Sequence, residues 1–455
     1  MKYSWIHTVF PIAAIFSFRM LGLFMLIPVF TVFATQLSGA TPMLTGLALG
    51  SYGLSQGLLQ MPFGMLSDRF GRKSILTVGL LLFVCGSLMG ALSHSIYTMI
   101  IARTLQGTGA IGSVLIALLA DLTPDEQRTK AMAVIGMTIG LSFSLAMIIS
   151  PAITTYFGLS GIFYLTTILA LAGLALLHIV IPTPRKERFH MDSQVNLTLF
   201  KSVINNKHLQ RLNLGIFFQH FILTATFYVI PILLQQQINT GHLTKPWHFY
   251  LPLMFCSFVL MVPFILLAEK KQQMKTVFSV AILITAVMQL FLTWLNQQWL
   301  SLWLLMFIYF VAFNVLEATL PSLISKQADP NSKGTAMGVY SSSQFLGIFL
   351  GGLSAGALYD LGGNTAIFTV NACLGLIWFI ISLYMKPNMY LSTLLLPYPE
   401  SLTNVEELVR QLKNLDGVRD LSIAQEERVI YLRINKASYQ EGSAVKLLES
   451  VVSQY

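Results

Sequence analysis

Twelve apolar stretches, each close to the length of a bilayer crossing, constrain this chain more than any other feature. They lie near residues 8–34, 42–66, 74–92, 97–120, 131–157, 162–181, 212–234, 249–267, 276–295, 300–324, 336–358 and 366–385. About 20 residues of helix cross the roughly 30 Å of hydrocarbon in a bilayer. Lipid offers the backbone no hydrogen-bond partner, so each stretch must satisfy its own polar groups as a helix. Composition agrees, with 55% of the 455 residues hydrophobic and only 10% charged. A soluble domain carries about 25% charged residues. The first stretch is too long for the core of a cleaved signal and no small-residue cleavage site follows it. It is therefore expected to remain in the mature protein.

The net charge of +9 is unevenly spread. From Leu391 onward the chain holds 7 Lys/Arg and 9 Asp/Glu, so the cationic excess belongs to the apolar part. It sits in alternate loops: Arg69, Arg72 and Lys73; Arg128 and Lys130; Arg185, Lys186, Arg188, Lys201, Lys207 and Arg211; Lys270, Lys271 and Lys275; Lys326 and Lys333; Lys386. The opposite loops hold only Lys245. The positive-inside rule then places the basic loops and both termini in the cytoplasm. The basic balance needs no nucleic acid to explain it. Lys201, Lys207 and Arg211 could touch anionic membrane lipid, but orientation alone accounts for them. Cys85, Cys256 and Cys373 fall within apolar stretches and behave as small apolar residues there. No cysteine spacing suits a metal.

Six stretches, a polar connector and six more stretches give the layout: a first half over 1–181, a linker over 182–207 and a second half over 208–389. A surface helix is expected near 197–204. The halves share weak similarity at an offset of 205 residues: Ala131-Met132 with Ala336-Met337, Val134 with Val339, Leu141 with Leu346, Gly158 with Gly363, and Ile162-Phe163 with Ile367-Phe368. Repeated halves are a transporter architecture with the site between them near the midplane. After Met385 the composition changes, and 390–455 reads as a small soluble α+β module. Its order is βαββα, a ferredoxin-like half-sandwich with a strand at 429–434. It contains no cysteine, which excludes thiolate metal binding there.

A charge at membrane depth costs on the order of 2.5–3.5 kcal/mol on insertion scales, so it faces a cavity or a partner. Arg19, Arg103 and Glu317 lie well inside stretches, with His220 in the seventh and Asn314 one turn before Glu317. Glu317 is the best candidate proton carrier, since a carboxyl in a poorly hydrated cavity can load and release a proton near neutral pH. The bland alternative is a structural partner for Arg19. His220 either titrates or is a hydrogen-bonded packing residue. Arg19 and Arg103 could bind an anionic solute, counter Glu317 or hold helices together.

Between the second and third stretches lies Gly64-x-x-x-Asp68-Arg69-x-Gly71-Arg72-Lys73. Its glycines permit close helix contact. Asp68 can pair with Arg72 or Lys73, or cap the helix that follows. Asp121 lies on the same membrane face and could accept Arg72. The expectation is a cytoplasmic latch that holds in one state and breaks in another. The bland reading is a topology signal with local ion pairs, each worth about 0–1 kcal/mol when exposed.

These residues resemble the major facilitator superfamily. The 64–73 turn is similar to that family's loop motif between its second and third helices. Arg103-Thr-Leu-Gln106-Gly107-Thr-Gly109 resembles its fourth-helix motif, associated with proton coupling. The fifth stretch departs from the antiporter motif: Ala146, Ser150 and Pro151 stand where glycines before proline are usual, and Thr154-Thr155 replaces a glycine pair. Within the superfamily, Phe18-Arg19-Met-Leu-Gly22, Ala312-Phe313-Asn314 with Glu317, Leu320-Pro321-Ser-Leu-Ile-Ser325, Gly334-Thr-Ala-Met-Gly-Val-Tyr-Ser341 and His220 look like the YajR-type, proton-driven subfamily with a C-terminal ferredoxin-like domain. The resemblance implies an all-α membrane protein of twelve helices in two six-helix halves, plus the cytoplasmic α+β domain. It implies a bacterial inner-membrane antiporter, with protons and an unidentified small molecule as partners.

The expected function is a proton-coupled secondary transporter that exports small molecules, needing no cofactor and performing no enzymatic step. Rival readings are a proton symporter taking up a sugar or organic acid, and a membrane sensor whose C-terminal domain, with its own ligand or partner, is the output.

Overall fold

The computed structural model describes residues 6–123, 125–183, 197–270, 273–328, 332–385, 391–398, 405–424, 429–435 and 438–452. The helices are α1 Ile6–Phe24, α2 Phe30–Ala34, α3 Pro42–Phe70, α4 Arg72–Ala91, α5 Ile96–Thr108, α6 Gly112–Leu122, α7 Asp125–Ile179, α8 Leu197–Asn205, α9 Lys207–Asn239, α10 Trp247–Lys270, α11 Met274–Leu295, α12 Trp299–Gln327 and α13 Lys333–Leu383. Among the described residues, eight helices are long and apolar enough to cross a membrane. α8 is the expected short surface helix. Most of the charged connector, including Arg185, Lys186 and Arg188, lies outside the described residues, as do Lys271 and Lys386.

Two apolar stretches break where one helix each was expected. The first divides into α1 and α2 around Pro28, which has no N–H to continue the ladder. The fourth divides into α5 and α6 at Gly109, where ψ is 51° and the amides of Ala110 and Ile111 turn back to Thr108 and Gly109. Conversely, α7 and α13 each merge two expected stretches. The backbone leaves helical geometry inside α7 at Gly158 (φ 62°, ψ −166°) and inside α13 at Gly363 (φ 60°, ψ −149°). These glycines are the matched pair of the internal repeat, and they adopt one backbone conformation that a side chain would oppose. Ile162, Phe163, Ile367 and Phe368, which follow at the same offset, are all completely buried. The repeat is thus expressed in geometry as well as in letters.

The two halves meet along α3 and α13. A Cβ on Gly46 would lie 2.2 Å from the Gly352 carbonyl oxygen, on Gly50 2.6 Å from that of Phe349, and on Gly53 2.5 Å from that of Phe345. No side chain fits at these distances, so backbone lies on backbone. The approach relaxes toward the C-terminal end of α3, where Gly338 meets the Met61 side chain at 3.6 Å. Tyr228 adds an O–H bond to the Pro42 carbonyl at 3.0 Å. In the middle, Phe143 of α7 packs against Phe310 and Phe313 of α12, with centroids 6.1 and 5.8 Å apart.

After the last helix come β1 Leu391–Pro397, α14 Val405–Lys413, β2 Val418–Ala424, β3 Val429–Asn435 and α15 Ser443–Val452. The sheet is antiparallel in the order β1-β3-β2. Cross-strand rows such as Leu396, Ile430 and Ile423 alternate with outward residues. Leu408 and Leu412 of α14 and Ala444 and Leu448 of α15 complete a core of its own. The sequence of this module predicts Thr403 or Asn404 as the cap of α14 and a turn at Glu426-Glu427, and both lie outside the described residues.

Candidate functional site

The second half places Glu317 of α12 against α9. Its Oε2 accepts from Gln219 Nε2 at 2.9 Å and lies 3.9 Å from His220 Nε2. The glutamate side chain keeps 27% of its surface accessible, whereas that of His220 keeps 2%. His220 Nδ1 faces the Ile216 carbonyl at 3.3 Å, which assigns its proton to Nδ1. Nε2 then accepts from Gln344 Nε2 at 2.8 Å. The one lone pair of Nε2 is thus taken by Gln344, and Glu317 Oε2 lies beside it at 3.9 Å, beyond hydrogen-bond distance. Asn314 shares the Glu317 face but donates to Ser257 Oγ of α10 at 3.2 Å instead.

The first half holds the two arginines on separate partners. Arg19 of α1 is buried and donates through Nη2 to Gln56 of α3. Gln56 in turn donates to Gln60 Oε1 at 3.2 Å. Arg103 of α5 lies over the Tyr52 ring, 4.9 Å from its centroid, and donates to Gln106 Oε1 at 2.7 Å. Gln106 passes the chain on to Ser87 Oγ at 2.8 Å. A Cβ on Gly107 would meet Ser55 Oγ at 2.1 Å and one on Gly109 the Gly79 carbonyl at 2.4 Å, so these glycines let α5 press on α3 and α4. Burying a guanidinium against an aromatic face contributes about 2 kcal/mol when desolvated. The possible pairing of Glu317 with Arg19 is not realised: the recorded partner of Arg19 is Gln56, and Glu317 turns to α9.

Between α3 and α4 Arg72 gathers the motif. It pairs with Asp68, donates from Nη1 to Ser67 Oγ at 2.6 Å, and donates from Nε to Asp121 Oδ2 at 3.1 Å. Its side chain is 3% exposed and that of Asp121 0%. These partners belong to α3 and α6, so the cluster staples three helices of the first half together. Lys73 donates to the Ile181 carbonyl just beyond α7, and Arg69 lies over Phe70. The glycines act differently from expectation. Gly71 holds φ at 92° as the turn between α3 and α4, and a Cβ on Gly64 would meet Ser113 at an ordinary 3.5 Å. The close helix contacts occur instead along α3 and α13. The helix α4 begins on Gly71 without a side-chain cap, so Asp68 does not cap it.

Reading charges in apolar stretches located Arg19, Arg103 and Glu317 but missed Gln56, Gln60, Gln219 and Gln344. Four glutamines at membrane depth were a usable signal, because each needs a partner there as well.

A family model described as Major Facilitator Superfamily matches residues 12–352 and 275–414. The inner membrane transport protein YajR of Escherichia coli is 40% identical over 425 residues, 93% of each chain. An uncharacterized transporter of Buchnera aphidicola is 35% identical over 86% of this chain and 100% of its own. The quinolone resistance protein NorA of Staphylococcus aureus is 24% identical over 76% of this chain and 89% of its own. Among solved structures, a D-xylose-proton symporter superposes with a TM-score of 0.67 at 18% identity, over 85% of this chain and 99% of that one. At that identity the likeness concerns the fold.

Proposed function

This chain belongs to the Major Facilitator Superfamily and is a multi-pass membrane transport protein, and from that premise we propose a proton-coupled exporter of small molecules working by alternating access. The observation that carries the proposal is the Glu317–His220 pair. A partly accessible carboxyl group lies 3.9 Å from the imidazole Nε2, with Gln219 and Gln344 holding each in place. A proton gained by either group changes the charge between them, and its departure restores it. That couples occupancy of the site to the packing of α9 against α12.

The frame of the proposal is twelve crossings in two halves, 1–181 and 208–389. A straight helix as long as α7 or α13 would extend roughly 77–83 Å at 1.5 Å per residue, more than twice the hydrocarbon thickness. Their non-helical glycines support two crossings each. Loop charge supports cytoplasmic termini, and the YajR likeness supports a bacterial inner membrane. The strand order β1-β3-β2 within βαββα supports a ferredoxin-like cytoplasmic domain over 390–455. Arg103 and Asn314 join the coupling set as residues that hold the helices around it. The Asp68–Arg72–Asp121 clasp keeps the cytoplasmic end of the first half rigid as the halves move, with Gly64, Arg69, Gly71 and Lys73 shaping that turn. Proton and solute are the ligands, and no enzymatic step is assigned.

Everted membrane vesicles test the reading. With a preset gradient, an exported solute should release lumenal protons, and Glu317→Gln should abolish that release while leaving insertion intact. A Glu317→Gln protein with wild-type proton release would sink proton coupling. Proton movement in the opposite sense would favour uptake of a sugar or organic acid by symport, the mode named for the xylose-proton symporter.

A further inference from the structure

Arg19 and the start of α6 bring two positive poles together inside the first half. Arg19 is 2% exposed. Its Nη2 is committed to Gln56, whereas Nε and Nη1 have no hydrogen-bond partner among the described residues. Nη1 is directed at Gly112, the first residue of α6: a Cβ built there would lie 3.2 Å from it. The N-cap residue Ile111 provides no side-chain acceptor, so the first-turn amides lack a cap. A helix N-terminus carries about half a positive charge. A guanidinium facing one in a poorly polar interior is unfavourable unless an anion lies between them. Gln60 holds the Gln56 amide so that its oxygen faces Arg19, which fixes the guanidinium in this position.

We propose that Arg19, Gln56 and the N-terminus of α6 form an anion subsite that receives a carboxylate group of the transported solute. One guanidinium and about half a charge from the helix fully offset a single negative charge. A phosphate dianion would exceed that supply. A carboxylate accepts several donors at once and so can take both the free arginine nitrogens and the α6 amides. The proposal rests on the transporter reading and names its solute class: small organic monoanions. The solute reaches Arg19 when the halves part, since the guanidinium is enclosed in this conformation.

Thermal unfolding of the purified full chain in detergent tests this without transport. Sodium benzoate should raise the midpoint of the wild-type protein in a concentration-dependent way. Neutral benzamide, and sodium phosphate at matched ionic strength, should not. Arg19→Gln should remove the benzoate effect. A second arm needs no added ligand. Gly112→Asp tethers a carboxylate beside Nη1, so it should unfold at a higher temperature than Gly112→Asn. That difference should vanish when Arg19→Gln is combined with each. The proposal is overturned if benzoate gives no Arg19-dependent shift, if phosphate or benzamide matches it, or if Gly112→Asp is no more stable than Gly112→Asn. Failure of Glu317-dependent proton release in vesicles would instead sink the coupling reading and leave the binding result standing.

Discussion

Arg72 shows how one side chain can hold more structure than its motif suggests. Its three partners, Asp68, Ser67 and Asp121, come from two other helices, and the cluster is almost fully closed to solvent. Removing one member of such a buried pair leaves the other charged and unpaired, at a cost of about 3–5 kcal/mol. Arg72→Leu, which takes the guanidinium from both Asp68 and Asp121, should therefore lower thermal stability by that order. Asp68→Asn should cost less, about 1.5–3 kcal/mol for a charge-assisted bond, because Asp121 still receives the guanidinium. Asp68→Asn should also reduce transport with insertion intact, and vesicle flux beside a thermal midpoint separates the two effects. An Asp68→Asn protein that transports normally would reduce the turn to a topology marker. The charged residues of these sites were legible because a charge in an apolar stretch stands out. Their amide partners carry no charge to mark them, although a Gln in an apolar stretch needs a partner as well. Nor could one sequence show that Arg19 turns to Gln56 rather than to Glu317, because that depends on which faces of α1, α3 and α12 meet.

At the scale of elements, length and hydropathy show that the chain is mostly long apolar helix. What they leave open is where a helix breaks and which helices touch. The break at Gly109 and the long α7 and α13 depend on backbone dihedrals at single glycines, which hydropathy does not encode. The α3–α13 seam was hidden for a related reason. Gly46, Gly50 and Gly53 lie at helical spacing on α3, but their use appears only when Gly352, Phe349 and Phe345 are set opposite. The seam makes a direct prediction. Gly46→Ala places a methyl carbon into the Gly352 carbonyl, so the helices must separate, and overpacking of this kind costs about 1–3 kcal/mol. Gly136→Ala and Gly140→Ala of α7 have open space around the added carbon. There the gain in helix propensity, up to about 1 kcal/mol, should leave stability unchanged or raised. Thermal unfolding of the three variants checks the contrast. Equal midpoints would mean that the seam is looser than its geometry.

The whole molecule repeats its devices as well as its helices. Lys73, entering the third expected stretch, donates to the Ile181 carbonyl at the end of the first half. Lys275, entering the ninth, donates to the Leu383 carbonyl at the end of the second at 3.0 Å, and Arg211 joins it through the Tyr384 carbonyl at 2.8 Å. Cations of the basic loops thus satisfy helix C-termini, where positive charge is favoured. Each half is closed on itself by these caps, and the polar clusters around Glu317, Arg19 and Arg103 draw on the helices alone. The C-terminal module has a separate core built from its own strands and helices. Deleting 391–455 should therefore leave an inserted protein that still moves solute and protons, at a changed rate if the module regulates the halves. Expression level, a protease map of the remaining chain and vesicle flux measure the three consequences independently. Complete loss of solute-linked proton movement from a correctly inserted truncation would make the module part of the transport cycle. Retained insertion without solute movement in either protein, and loss only of a partner contact, would favour the sensor reading.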